Sequence, residues 1–514
     1  MTAGAHRSVA VRVLAPARGP ALPPVRSWTG WPAVAGIVLA ALILRLTGLS
    51  TAYDVFIDEP FYTLMGASVA DGHLPPLNYG QPFLLHPPGL FVMEAMASLV
   101  LPDGSNLYGD VFLMRAVQQL FAVISAVLVY LLVRRAAGHT AGLAALLLFS
   151  VDPFVLRQNG RVLLETATTM FVLGGFVVLA RIAADGALTP AARRRWWCAG
   201  AGLLFGAAIL TKDMAAVLVA LPLAAMWFAG KGLRRAEVVL TAGVAAGVYL
   251  AYVLLMVVIG DGAAFWRAKT GGFARMSGAH VTTGFTSAGA PSMLDAALAR
   301  LQDVGPSYAV VAVGAVCGLV LLLRPRNPTE RLIGLLAGAA GLMITYGVAF
   351  GTFEEHFLYF LIVPAIAGLA TAAARIRPGT HRRVLVAALC LVVALDAVSW
   401  ARTRLEPDDG QRRAAEWLMR HAPAGSKVAW VTEQTQYSLD GTGLQGVELG
   451  EPGAMAAQRV TYLIVLERVV AEHYSSVEPE DVDWFTTRAT KVFSFTGRAY
   501  GEVAVYQTRD PAVW

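Results

Sequence analysis

Along the first four hundred positions, apolar residues come in long runs broken by short polar stretches. The runs lie near 31–49, 111–133, 140–156, 162–183, 196–211, 214–230, 236–259, 307–323, 332–350, 357–373 and 384–400, eleven in all. A helix needs about 20 apolar residues to cross the hydrocarbon core of a bilayer. The pattern therefore predicts an all-α polytopic segment over residues 31–404 with about eleven spans. From 405 the rhythm changes. A helical repeat at Gln411–Arg420 precedes Pro423-Ala424-Gly425, and strand-like stretches follow at Lys427–Thr432, Arg459–Leu466 and Tyr500–Thr508. Residues 405–514 read as a small α/β domain. Residues 1–30, rich in Arg, Pro and Ala, read as a disordered tail, and the run after Trp31 as an uncleaved first span.

One apolar stretch, Leu90 to Leu101, is too short to span, and basic residues decide its reading. If it does not cross, twenty Lys and Arg fall on one side, among them Arg134, Arg135, Arg193 to Arg195, Lys231, Arg234, Arg235 and the four arginines of the tail. Eight fall on the other, including Arg115, Arg157, Arg161, Lys212, Lys269 and Arg275. The positive-inside rule then makes the N-terminus cytoplasmic and Leu90–Leu101 a re-entrant or interfacial helix. The first long loop, about 50–110, and the C-terminal domain are expected outside, on a multi-pass protein of the plasma membrane.

Composition agrees: 56% of the 514 residues are hydrophobic and only 15% charged. The cytoplasmic anchors account for the net charge of +6, so no nucleic-acid partner is implied. Cys198, Cys317 and Cys390 all fall within apolar runs, which indicates neither a disulfide framework nor a thiol metal site.

The outer loops hold the polar residues that invite a chemical reading. Asp58-Glu59 opens the first loop after a span, and His86-Pro87-Pro88-Gly89 follows in the same loop. Carboxylates near lipid must find water, a proton, a metal or a cation. The structural alternative is a helix cap with its first-turn acid, and the prolines fix an angle between segments. Arg161 and Glu165, spaced i, i+4, are expected on one helix face, either as a local ion pair or with Arg161 gripping a phosphate. Lys212-Asp213 lies between two spans and reads equally as a structural pair. Glu354-Glu355-His356, with Tyr359 and Pro364 beyond, offers one His near two acids, which more often makes a polar cap than a metal site. The loop near 260–305, rich in Gly and Ser, reads as a mobile lid.

In order along residues 30–400, these pieces resemble the membrane glycosyltransferases of the GT-C fold that use polyprenyl-phosphate sugars. Protein O-mannosyltransferases and the aminoarabinose transferases of lipid A are examples. The matching elements are Asp58-Glu59 with Tyr62, His86-Pro87-Pro88, Arg115, Gly138-His139-Thr140-Ala141-Gly142, Arg161-x-x-x-Glu165, Thr211-Lys212, and His356-x-x-Tyr359 with Pro364. The resemblance implies inverting transfer of one sugar from a polyprenyl-phosphate donor to a protein, lipid or glycan acceptor on the outer face. Carried over, Asp58 is the base, Glu59 supports it, Arg161 holds the donor phosphate and Glu165 shapes the site. Lys212, His86, Tyr62, His356 and Tyr359 complete the set of substrate-binding candidates. Glu165 stands where many relatives have Asp, Gly89 replaces a common Leu, and His86 stands where aminoarabinose transferases favour Lys. No ligand set for a divalent metal is evident, and no cofactor is expected. The competing reading is a transporter or flippase of lipid-linked sugars. It fits less well, because no internal repeat is visible and the polar residues gather at loop ends instead of the midplane.

Overall fold

The computed structural model describes residues 31–508, except 79, 102, 103, 105, 186–189, 231, 281–291, 473 and 476. The tail at 1–30, Lys231, Tyr79 of the first loop and much of the Gly/Ser-rich stretch of the second lie outside the described residues.

The membrane part is helical throughout. It begins with α1 (Trp31–Leu46), α2 (Asp58–Ala70), a two-residue hairpin of β1 (Leu77–Asn78) and β2 (Gln81–Pro82), and α3 (Gly89–Ser98). There follow α4 (Leu107–Ala137), α5 (His139–Val151), α6 (Pro153–Asn159), α7 (Leu164–Asp185), α8 (Ala191–Thr211), α9 (Ala215–Ala229) and α10 (Arg235–Val258). The set closes with α11 (Gly262–Ser277), α12 (Met293–Ala299), α13 (Leu301–Leu323), α14 (Pro328–Ala349), α15 (Tyr359–Ala373) and α16 (Thr380–Leu405).

Each of the eleven predicted runs is a helix or a helix pair, but only seven helices among the described residues are both long and apolar enough to span. The seven are α4, α7, α10, α13, α14, α15 with its preceding turn, and α16; α5 with α6 makes an eighth span if the pair is counted as one. That pair bends by 63° at Asp152-Pro153, where proline cannot continue the ladder of the preceding helix. Helices α1 and α9 are shorter apolar helices. Helix α3 has ten residues, about 15 Å at the helical rise, which is half the hydrocarbon thickness.

Small residues let the helices approach. Gly138, at φ +93°, makes the reversal from α4 into α5, a backbone conformation that side chains disfavour. Gly89 opens α3 against the end of α8; a Cβ there would stand 2.6 Å from the Leu210 carbonyl oxygen. This explains why a leucine has no room at that position.

After α16 the chain forms a five-stranded mixed sheet with helices packed around it. Its strands are β3 (Lys427–Trp430), β4 (Gln445–Glu448), β5 (Tyr462–Leu466), β6 (Thr490–Gly497) and β7 (Gly501–Gln507), in the order β4-β3-β5-β7-β6. The first three are parallel, and β7 joins antiparallel to both β5 and β6. A helix at Gly410–His421 leads into the sheet, and Val428, Ile464, Val503 and Val505 form its buried face with Leu418.

Candidate active site

Helix α2 sets the geometry at the loop end of the bundle. Asp58 and Glu59 occupy its first turn, where the helix dipole favours negative charge, and their side chains diverge. Glu59 is fully buried. Its Oε1 accepts from Arg115 Nε at 2.8 Å and from the Val162 amide at 2.9 Å. Its Oε2 accepts from Arg115 Nη2 at 2.7 Å and from the Phe56 amide at 2.9 Å. The Arg115 guanidinium also donates to the carbonyls of Leu49 and Tyr53. Glu59 thus ties α2 to α4 and to the segment before α7, with no lone pair left for a substrate.

Asp58 faces a cavity of about 1130 Å³. Its neighbours in the wall include Tyr62, His86, Lys212, Lys269, Arg275 and His356, while Met214, Phe273, Leu342 and Phe353 make much of the rest apolar. Of these, Phe273 and Leu342 are exposed on the outer surface of the bundle, as is Tyr346 of the same wall, so the cavity reaches the side of the helices. Burial raises the Asp58 carboxyl to about 6; the charges of His356 and Lys212 oppose the shift and those of Glu354 and Glu165 add to it. The Tyr62 hydroxyl donates to Asp58 Oδ2 at 3.3 Å, and burial holds its phenol well above the ordinary value. His86 packs edge-on against Tyr62 and Phe83; burial, then the Lys212 and Lys269 charges, push it well below the usual imidazole value, so it is neutral.

The expected Arg161–Glu165 pair does not form. Helix α6 ends at Asn159 and α7 begins only at Leu164, so Arg161 sits in a bend and the two residues share no helix face. Glu165 instead accepts from Lys212, with His356 Nε2 at 3.4 Å from the same oxygen. Nor do Lys212 and Asp213 pair with each other. The extended backbone at Lys212 turns them apart, and Asp213 accepts from Lys269 and from the Tyr249 hydroxyl, each at 2.7 Å. Lys269 and Arg275 come from α11, so residues 262–277 of the expected lid are an amphipathic helix clamped to the bundle. Arg275 lies 3.7 Å from Glu354, itself 3.3 Å from His356 Nε2. Glu355 turns the other way, into an ion pair with Arg157 and Arg300 at 2.7 Å each. Tyr359 is fully buried in the helix core and lines neither cavity described here. Among the described residues no group of three or more His, Cys, Asp and Glu is placed to hold a metal.

Arg161 lines a different, smaller cavity of about 130 Å³, between the bundle and the sheet. Phe56, Ile57, Glu354, His356 and Tyr474 border both cavities. The sheet also grips the segment leading to Asp58. The Gln411 amide donates to Asp54 at 2.9 Å and the Tyr500 hydroxyl to the Val55 carbonyl at 2.8 Å. Arg498 Nη2 donates to the carbonyls of Ala52, Thr403 and Glu406.

Comparison with known proteins agrees with this architecture. The family model for dolichyl-phosphate-mannose-protein mannosyltransferase matches residues 87–260. ArnT from Cupriavidus metallidurans bound to undecaprenyl phosphate superposes with a TM-score of 0.59 at 14% identity, over 95% of this chain and 99% of that one. The archaeal oligosaccharyltransferase AglB from Archaeoglobus fulgidus, in complex with an inhibitory peptide and a dolichol-phosphate, gives 0.58 at 14% identity, over 87% of this chain and 71% of that one. No curated protein matches by sequence. The chain therefore has the GT-C fold that these structures share.

Proposed function

We propose that this chain transfers one sugar, with inversion, from a polyprenyl-phosphate donor to an acceptor hydroxyl on the extracytoplasmic face of the plasma membrane. The observation that carries the reading is Asp58 with its neighbouring cations on a cavity that is otherwise apolar and open at the side of the bundle. A polyprenyl chain suits such walls, and a phosphate suits the cations.

In this scheme the donor phosphate lies against Arg275, whose contact with Glu354 is loose, while Lys212 and Lys269 complete the positive lining. The Asp58 carboxylate takes the acceptor O–H proton as that oxygen attacks the anomeric carbon. The bond from that carbon to the phosphate oxygen breaks, and polyprenyl phosphate leaves with the electron pair, its charge held by the cations. Single displacement inverts the anomeric centre. Tyr62 donates to the ionised form of Asp58 and aims it. Glu59 acts through position alone, by fixing the helix turn that presents Asp58. Glu165, with His356 Nε2 at 3.4 Å from the same oxygen, holds Lys212 at the cavity edge. The acceptor is a protein, lipid or glycan.

Membranes containing the wild-type protein or Asp58→Asn, supplied with radiolabelled polyprenyl-phosphate sugars, test the reading. Transfer by the wild type that is lost in the folded variant supports it. Transfer that survives removes Asp58 from the mechanism, and movement of donor across the bilayer without transfer would favour a transporter.

A further inference from the structure

The cavity between the bundle and the sheet differs in kind from the one at Asp58. Its wall is dominated by charged and polar side chains, and its volume of about 130 Å³ suits one compact group, not a lipid chain. Most of its charges are matched within the protein. Arg157 and Arg300 share Glu355, Arg300 also lies 3.6 Å from Glu472, and Arg498 is 3.1 Å from Glu406. Asp408 accepts from the Ala499 amide.

Arg161 has no such match among the described residues. Its guanidinium stands 5.8 Å from the centre of the Tyr53 ring and 5.1 Å from that of Phe56. No carboxylate or carbonyl takes a bond from its side chain among the described residues, and its Nε is buried without a partner. Asp408 and Glu355 are near enough to feel its charge but do not contact it. Across the same cavity Gln434, itself buried, has an amide Nε2 without a partner. A guanidinium that lies over aromatic rings and bonds no protein acceptor has donors left for a planar or tetrahedral oxyanion, and an unsatisfied buried donor is costly until one arrives. The cavity is also placed for the acceptor side of the reaction. It shares Phe56 and Ile57 with the Asp58 cavity, and Ile57 immediately precedes the base.

We infer that this second cavity is an acceptor subsite that takes a compact oxyanion, a carboxylate or phosphate carried by a polar acceptor, with Arg161 as its anchor and Gln434 as a second donor. The inference rests on the glycosyltransferase reading for the word acceptor, but the anion site itself does not. The two cavities thereby divide the substrates: lipid-linked donor in the apolar one, charged acceptor in the polar one.

Calorimetric titration of the full-length protein in nanodiscs tests this. Inorganic phosphate and glucuronate are the probes, each added before and after saturation with undecaprenyl phosphate. The expected result is that at least one probe binds protein already saturated with the lipid. Arg161→Gln weakens that binding tenfold or more, Arg161→Lys retains part of it, and both variants bind the lipid as the wild type does. Intact lipid binding shows that the variants are folded, and Gln434→Leu gives an independent reading of the same cavity. Displacement of the probe by the lipid, no binding of either probe, or unchanged binding in Arg161→Gln would overturn the proposal. Failure of undecaprenyl phosphate to bind at all, with the probe still bound through Arg161, would instead remove the donor reading and leave the anion site standing.

Discussion

Neighbouring carboxylates at positions 58 and 59 are assigned opposite duties, and substitution at Glu59 separates them. Both Glu59 oxygens already receive two donors: Arg115 Nε and the Val162 amide on one, Arg115 Nη2 and the Phe56 amide on the other. In Glu59→Gln, either orientation of the amide turns its NH2 against two donors. Breaking a buried ion pair by removing one partner costs about 3–5 kcal/mol. Arg115→Met takes the guanidinium from a buried carboxylate and from the carbonyls of Leu49 and Tyr53, so a loss of about the same size is expected there. The double variant Glu59→Gln/Arg115→Met removes both charges together. Its loss should fall short of the sum of the single losses by about 0.5–3 kcal/mol, the range of coupling for residues in contact. Chemical denaturation of the purified protein in detergent measures the stabilities, and sugar transfer per folded molecule measures the rest. A Glu59→Gln protein as stable as the wild type but devoid of transfer would refute the reasoning, because Glu59 would then be acting on the substrate.

Three further outcomes follow from the same geometry. With the Asp58 carboxyl at about 6, kcat/KM should rise from pH 5 to pH 7 by about tenfold as the base ionises; a flat profile between those values would exclude it as the base. Arg275→Gln should raise the donor KM by about tenfold or more, the scale of one hydrogen bond to a charged group, with a smaller effect on acceptor KM; equal effects on both would place Arg275 elsewhere. Gly89→Ala should destabilise the protein by about 1–3 kcal/mol, because its Cβ would meet the backbone at the end of α8, and unchanged thermal unfolding would show that α3 is free to shift.

The helices were legible because a span is a local pattern: each of the eleven apolar runs is helical, and α3 is as short as its sequence implied. Span length was less so, since Pro153 divides the run 140–156 into α5 and α6, a break that a run boundary does not register. In the sheet domain, Lys427–Trp430, Tyr462–Leu466 and Gly501–Gln507 fall inside the predicted strands. Thr490–Gly497 was missed because on this outer strand few side chains are buried and the alternation is weak. The site was read in part. Asp58, Tyr62, His86, Lys212 and His356 do share a cavity. Arg161 does not line it, because the helix that would have carried it beside Glu165 starts three residues late. Lys269 and Arg275 were noted only as loop charges. An amphipathic stretch with Trp266 and Phe273 on an exposed face was the available sign that the segment is a helix. The partition of Asp58 from Glu59 depends on Arg115, fifty-six positions away, and no local pattern encodes that distance.

The grip of the sheet on residues 52–55 has a consequence for modularity. Although the sequence changes character near 405, Gln411, Arg498 and Tyr500 hold the very segment that leads to Asp58. The soluble part is therefore no detachable accessory. A chimera that exchanged it for another sheet would keep Asp58 in place only if the Arg498 and Tyr500 side chains and the backbone amide at position 411 were preserved.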